Sequence, residues 1–295
     1  MNWLGRARAS LRRVLRAPVH AVLRLCEPYR AARTKHELAI CAIFREEAPF
    51  LNEWISFHIG VGVTHFYLYN NFSTDNFREV LASWLERGCV TVTEWPEPVG
   101  QVSAYQHCVR RVRGDCRWLA FIDVDEFLFS PSAADIREIL ARYSDLPAVE
   151  VWQLFFGSGG HVSRPALAVT ESYLMRAPLT RNSVKSIVNP RMIYKPGVHQ
   201  CKYWTGEGLD TARRRVTRER TMPVLDLLRI NHYWSRSLQD LETKIGRGDA
   251  STPQPRDRDS HLDFERALNA ERDEAILPIA RAIRNTPVLP AAHSQ

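Results

Sequence analysis

The 295 residues are enough for one large α/β domain with a real core, or for two small ones. With 45% hydrophobic and 25% charged residues the chain is ordinary for a soluble globular protein, which excludes bulk disorder. The net charge of +7 is uneven: residues 1–36 hold eight Arg and one Lys against Glu27, a net +8, and the other 31 basic and 32 acidic residues leave −1, which argues against a nucleic-acid-binding face on the folded part.

In the N-terminal stretch Leu4, Leu11, Val14 and Leu15 lie at helical spacing with Arg6, Arg8, Arg12, Arg13 and Arg16 between them. Pro18 interrupts the helix, and Val19, Val22 and Leu23 continue it as a second piece. Such a basic amphipathic arm suits an anionic membrane surface, reached through residues 1–25, or packs as a helix or loose tail. No run of about 18 apolar residues follows, so no membrane-spanning helix is expected. Arg12, Arg13, Arg16 and Arg24 leave no signal-peptide core. The six cysteines form no CxxC pair and read as small core residues of a reduced, cytoplasmic protein.

From residue 37 the chain alternates strand and helix. Leu38–Phe44 reads as a buried strand and Pro49–Ile59 as a helix with proline in its first turn. His65–Tyr69 is an aromatic strand. Asn76 with Glu79 forms a capping-box pattern for a helix that stops near Gly88. Val90–Thr93, Gln101–Arg113 and Trp118–Ile122 are strand, helix and strand, the last running into Asp123. This alternation predicts right-handed βαβ units, a parallel sheet and a ligand site beyond the strands' carboxyl ends. No GxGxxG follows the first strand, which disfavours a dinucleotide dehydrogenase. Further on, Ala148–Phe156, Tyr173–Arg176 and Ile187–Tyr194 read as extended, the last broken at Pro190. Ser237 caps a helix to Gly246, 247–260 is a loop, 261–285 holds one or two closing helices, and 287–295 is a loose tail. The predicted organisation is a basic arm (1–36), one α/β domain (37–286) and the tail.

The segment FIDVDEFLF at 121–129 sets three acids in an apolar frame. Buried carboxylates must be protonated, paired or metal-bound. Asp123 and Asp125 share a face if the strand continues and converge if it turns. Either way they can meet one hard divalent cation, Mn²⁺ or Mg²⁺, of the kind a departing diphosphate needs.

Together with AIFREEAPFLNEWISFHIGVGVTHFYLYNNFSTDN, QVSAYQHCVRR, WLAFIDVDEFLF, FFGSGGH, KSIV and NHYWSRSLQDLETKIGRGDA, this pattern resembles the GT-A glycosyltransferases, closest to the family-2-like and family-92-like bacterial groups, over about residues 38–250. The resemblance implies a Rossmann-like, mostly parallel sheet with flanking helices. It places Arg45, Glu46, Asn71 and Asp75 around the nucleotide, with Gln101, Tyr105 and Asp123 facing the donor and Lys185, Lys244 and Arg247 against the diphosphate. Asp123, Asp125 and a distant His199 would hold the metal, with His232 the alternative ligand or an acceptor contact. His161, closing the Gly-rich stretch 155–161, would be the base on the acceptor hydroxyl, with Glu171, Glu207 and Asp210 as carboxylate alternatives. Trp95, Trp152, Trp204 and Trp234 lie near these loops.

The function expected is transfer of a hexose from a UDP- or GDP-type nucleotide-sugar donor to a saccharide or lipid-linked acceptor, inverting, in surface polysaccharide assembly. The protein would be cytoplasmic and peripheral on the inner membrane face, with no nucleic-acid partner. The competing classes are a nucleotidyltransferase and a non-catalytic nucleotide-sugar-binding protein at the membrane.

Overall fold

The computed structural model describes residues 34–179, 183–217 and 222–286. The arm expected over 1–36 falls outside these except for its last three residues, and the tail at 287–295 lies wholly outside. The strands are β1 (His36–Phe44), β2 (His65–Asn70), β3 (Val90–Glu94), β4 (Cys116–Phe121), β5 (Glu126–Phe129), β6 (Ala148–Phe156), β7 (Met175–Arg176), β8 (Val184–Val188), β9 (Ile193–Lys195), β10 (Lys202–Tyr203), β11 (Arg229–Tyr233) and β12 (Glu271–Arg272). The helices are α1 (Ala48–Gly60), α2 (Phe77–Glu86), α3 (Gln101–Val112), α4 (Ile136–Leu140), α5 (Val169–Ser172), α6 (Leu238–Arg247), α7 (Arg258–Ala267) and α8 (Leu277–Asn285).

The α/β class read from the sequence is the class observed. Strands β4, β1, β2 and β3 lie side by side and all pair in parallel. Strand β1 is apolar on both sides because both its faces are covered. Leu38, Ile40 and Ala42 pack into a core with Trp54 of α1 and Leu81 of α2, while Ala39, Cys41 and Ile43 pack on the other face with Tyr105 and Cys108 of α3. The period-2 alternation of a strand thus distributes one apolar run between two cores.

Beyond β4 the sheet changes character. Strand β8 pairs antiparallel with both β4 and β6, and β11 lies parallel to β6 and antiparallel to β5. The break expected at Pro190 separates β8 from β9. Two closing helices, α7 and α8, fill the end of the domain, and Ile283 of α8 packs directly over Gly60. Among the described residues no helix is long and apolar enough to cross a membrane.

One cap differs from the sequence reading. Asn76 makes no side-chain bond to the start of α2. Its neighbour Asp75 reaches back instead, and its Oδ2 accepts from Ala48 N–H (2.8 Å) at the start of α1. Ser237 does cap α6 as expected, in a reciprocal box with Asp240.

Candidate active site

The chain leaves β4 at Phe121, turns through Asp123–Asp125 and re-enters the sheet as β5. The turn is tied across itself: Glu126 N–H donates to Asp123 O (3.0 Å), and Asp123 N–H donates to Glu126 Oε2 (3.0 Å). Of the two geometries the sequence allowed, the acids therefore converge at a turn. They open into a cleft of about 250 Å³ at the carboxyl ends of β1 and β4, where a parallel sheet places its ligands.

Every acid here has a partner. Asp123 Oδ2 takes the ammonium of Lys185 (2.6 Å), and its Oδ1 accepts from Gln101 Nε2 (2.9 Å). Lys185, 1% exposed on β8, also lies 3.3 Å from Glu126 Oε1. Asp125 Oδ2 takes Lys244 of α6 (2.6 Å) and faces His232 Nε2 of β11 (3.4 Å). Glu126, fully buried, accepts from Gln153 Nε2 of β6 (2.5 Å) and faces His232 Nδ1 (3.4 Å).

Burial pushes the Glu126 carboxyl up to about 7, with Asp123 and Asp125 adding to the rise against Lys185 and His232. Burial would likewise raise Asp125, but Lys244 and then His232 outweigh it and hold this carboxyl well below its ordinary range. Burial also opposes the charge on Lys185, yet Asp123 and Glu126 hold its ammonium above the ordinary value. Lys244 goes the other way, drawn down by burial against the pull of Asp125.

One carboxylate oxygen each from Asp125 and Glu126 and one ring nitrogen of His232 lie within 4.8 Å of one another. Two hard oxygens and an imidazole are a donor set compatible with a divalent metal. The trio expected from the sequence was Asp123, Asp125 and His199. Asp123 and His199 line the same cleft but stand outside this cluster, and the Nδ1 of His199 lies 3.3 Å from Ser183 Oγ. The histidine among the acids is His232, the alternative named beside it.

The structure brings Arg45, Asn71, Gln101, Asp123, Asp125, Lys185, His199, His232, Lys244 and Arg247 to one cleft. Tyr105 lies beneath it, fully buried, with its hydroxyl 3.1 Å from Gln101 Nε2. Other expected residues are elsewhere. Glu46 turns its carboxylate to Thr74 N–H (2.8 Å), and Asp75 caps α1. His161 is exposed, its ring edge-on to Tyr173, and does not line the cleft. The reason is local: Gly159 and Gly160 take positive φ, and Gly159 N–H bonds Asn269 beyond α7, so the Gly-rich stretch folds outward. The carboxylate alternatives are tied up in ion pairs away from the cleft, Glu171 with Arg284, Glu207 with Arg215 and Asp210 with Arg214. Of the four tryptophans, Trp234 alone reaches the cleft wall.

Glu126, Gln153, Glu47 and Arg256 also line the cleft and were not assigned roles from the sequence. Gln153 carried a signal, as a lone amide in the apolar strand AVEVWQLFF. Glu47 joins Arg236 (2.6 Å) and Arg247 (2.5 Å), a pairing across about 190 residues that no local pattern announces.

The cleft is thus a turn of acids at the end of a parallel strand, ringed by lysines and arginines, and sequence comparison gives the class of the chain. The sequence model of glycosyltransferase family 92 matches residues 36–249. The chain belongs to glycosyltransferase family 92. A family 92 protein of Ricinus communis is 35% identical over 176 residues, covering 56% of this chain and 30% of its own length. One of Oryza sativa is 35% identical over 162 residues, covering 54% and 28%. A galactan β-1,4-galactosyltransferase of Arabidopsis thaliana is 25% identical over 211 residues, covering 62% and 40%. The chain thus spans about a third of the length of these plant relatives, and they lend no support to the bacterial grouping. Among solved structures, S. aureus TarS 1–349 in complex with UDP gives a TM-score of 0.34 at 10% identity, over 52% of this chain and 47% of its own, a likeness too distant to carry an argument.

Proposed function

We propose that the cleft transfers a hexose from a nucleoside-diphosphate sugar, UDP- or GDP-linked, to a hydroxyl of a saccharide or lipid-linked saccharide acceptor. The observation that carries this reading is the juxtaposition of Asp125, Glu126 and His232 with the cations Lys244, Arg247 and Arg256 in one cleft of a family 92 chain. The Arabidopsis relative makes galactose the first sugar to test.

The roles follow from the contacts. Lys185 neutralises Asp123 and Glu126 from below and keeps the turn rigid, so that the two acids do not repel it open. Gln101 fixes the orientation of Asp123. Lys244, Arg247 and Arg256 stand where a diphosphate would bring negative charge, and they meet the charge that grows as the sugar–phosphate bond breaks. Asp125, Glu126 and His232 would hold a Mn²⁺ or Mg²⁺ ion, which supplies a Lewis acid for the leaving diphosphate.

The test is a nucleotide-release screen with UDP- and GDP-hexoses and a saccharide acceptor, in Mn²⁺ and then in EDTA. Release of nucleoside diphosphate that EDTA abolishes and Asp125→Ala lacks is the expected result. Release of pyrophosphate would mark nucleotidyl transfer instead, and donor binding without turnover would mark a binding protein.

A further inference from the structure

Arg236 stands behind the cleft rather than in its lining, and it is 6% exposed. It lies between β11 and α6, beside the helix cap Ser237. Its backbone sits at φ 54°, a left-handed conformation that residues with side chains rarely adopt. Its buried Nε has no partner among the described residues. Two local costs are kept at one residue. Strain of this kind persists only where the surrounding contacts over-determine it, and it gathers at functional sites.

Three contacts hold the guanidinium. It lies over the ring of Phe50 in α1, 3.5 Å from the centroid. Its Nη1 donates to Glu47 Oε2 (2.6 Å), and its Nη2 donates to Val124 O (3.2 Å). Val124 is the middle residue of the acidic turn, between Asp123 and Asp125. Glu47, itself buried, gives its other oxygen, Oε1, to Arg247 Nη2 (2.5 Å). Arg247 ends α6 and lines the cleft. Its Nη1 donates to Arg45 O, and Arg45 Nη1 donates back to Arg247 O (3.1 Å). A buried strap therefore runs from Val124 O through Arg236 and Glu47 to Arg247.

The strap joins two places that would meet the same ligand. An ion at the acidic turn and the guanidinium of Arg247 would hold one diphosphate between them, so their separation must be fixed. Only a planar, two-pronged donor can hold a carbonyl and a carboxylate at a set angle; a lysine ammonium is a point charge on a flexible stem. A buried ion pair adds little net stability over apolar packing of the same volume, so the contribution of this one is better read as geometric.

We infer that Arg236, acting through Glu47, is a positioning residue that sets Arg247 at the distance from the acidic turn which a metal-bound diphosphate bridges. Arg236 itself touches neither ion nor donor. The inference rests on the nucleoside-diphosphate donor proposed above.

The experiment is calorimetric titration with UDP and with GDP, in Mn²⁺ and in EDTA, on the wild type, Arg236→Lys, Arg247→Ala and the double variant, with thermal unfolding of each. The readout is the factor by which Mn²⁺ tightens nucleotide binding. Association of Mn²⁺ with the free nucleotide is common to all four proteins and cancels between them. Arg236→Lys keeps the charge beside Glu47 and loses the fork. It should cut the factor about tenfold or more, the usual loss when an outer partner of a metal site is removed. In the Arg247→Ala background the same substitution should have almost no further effect, because the two residues act as one unit. Should Arg236→Lys fail to fold, Glu47→Gln, which keeps the volume and releases both arginines, carries the same prediction. A lowered Tm with the wild-type factor would make the strap a structural tie and overturn the inference. Losses that add in the double variant would overturn the route through Arg247. Either result leaves the donor reading intact. A wild type whose affinity for both nucleotides does not respond to Mn²⁺ sinks the metal-bound donor itself, and the positioning role with it.

Discussion

Lys244 Nζ lies 2.6 Å from Asp125 Oδ2, on the same carboxylate oxygen that His232 Nε2 approaches at 3.4 Å. A lysine thus occupies one corner of the cluster in which a divalent ion would bind. With Lys185 on Asp123 and Glu126, the acids are matched by ammonium groups before any ion arrives. A metal bound there would compete with Lys244 for Asp125, and a diphosphate would give the displaced ammonium somewhere to go. Lys244→Ala leaves Asp125 buried without its cation, and breaking such a pair costs about 3–5 kcal/mol. Thermal unfolding should show a lowered Tm that Mn²⁺ restores more strongly than it shifts the wild type. Equal Mn²⁺ shifts in both proteins would show that Lys244 does not compete with the ion.

Glu150 predicts a pH dependence. It sits on β6, 1% exposed, with Tyr203 OH donating to Oε1 (3.0 Å) and Ser186 Oγ 2.7 Å from Oε2. Ser186 Oγ is also 2.9 Å from His199 O, and one hydroxyl has one proton. A neutral Glu150 donates to Ser186 and frees that proton for His199 O, so every acceptor is served. Burial pushes this carboxyl up to about 7, against the hydrogen bonds from Ser186 and Tyr203. The folded protein therefore binds a proton more tightly than the unfolded chain. Its contribution to stability is intact below the unfolded value of about 4.5 and is lost as pH rises through about 7. Glu126 is raised in the same sense. Denaturant titrations should give a stability that falls between pH 5 and 8 by on the order of 3 kcal/mol for Glu150. Glu150→Gln keeps the donor to Ser186 and should flatten that part of the slope. An unchanged slope in the variant would place the proton elsewhere.

Gly208 gives the same pocket a steric test. A methyl group there would run into Glu150 Oε1 and lies 3.0 Å from Tyr203 OH, although its backbone has no positive φ to explain the glycine. Close approach to the buried carboxyl is the reason no side chain fits. Gly208→Ala should lower stability by about 1–3 kcal/mol, the usual effect of overpacking. Measured at pH 6 in urea, a loss well below this would mean that the 204–210 segment shifts freely.

The parallel half of the fold was legible because both its signals are local. The apolar run 38–44 and the acids at 123 and 125 need only their neighbours in sequence to be read. The cleft's second wall is not local. Lys244 and His232 reach Asp125 from residues more than 100 positions away, and only the antiparallel pairing of β11 with β5 places His232 opposite Glu126. The Gly-rich stretch before His161 was read as a ligand loop, since glycine lets a backbone approach a substrate. Here the same freedom turns the loop away, onto Asn269. Asp75 read as a nucleotide contact for a similar reason: a carboxylate in a turn serves a helix N-terminus as readily as a ligand.

The two histidines of the cleft can be told apart by metal binding without turnover. His232 faces Asp125 and Glu126 with both ring nitrogens, at 3.4 Å each, whereas His199 faces Ser183. Even an outer partner of a metal ligand costs about 10–100-fold in affinity when removed, and a ligand should cost at least as much. Titration of Mn²⁺ followed by its paramagnetic resonance signal should therefore show His232→Ala binding at least about tenfold more weakly, with His199→Ala close to wild type. The reverse order would restore His199 to the metal and would require the segment at 196–200 to move toward the acids. Equal losses would mean that both rings meet the ion, and that the cleft closes around it from β11 and from the segment beyond β9 at once.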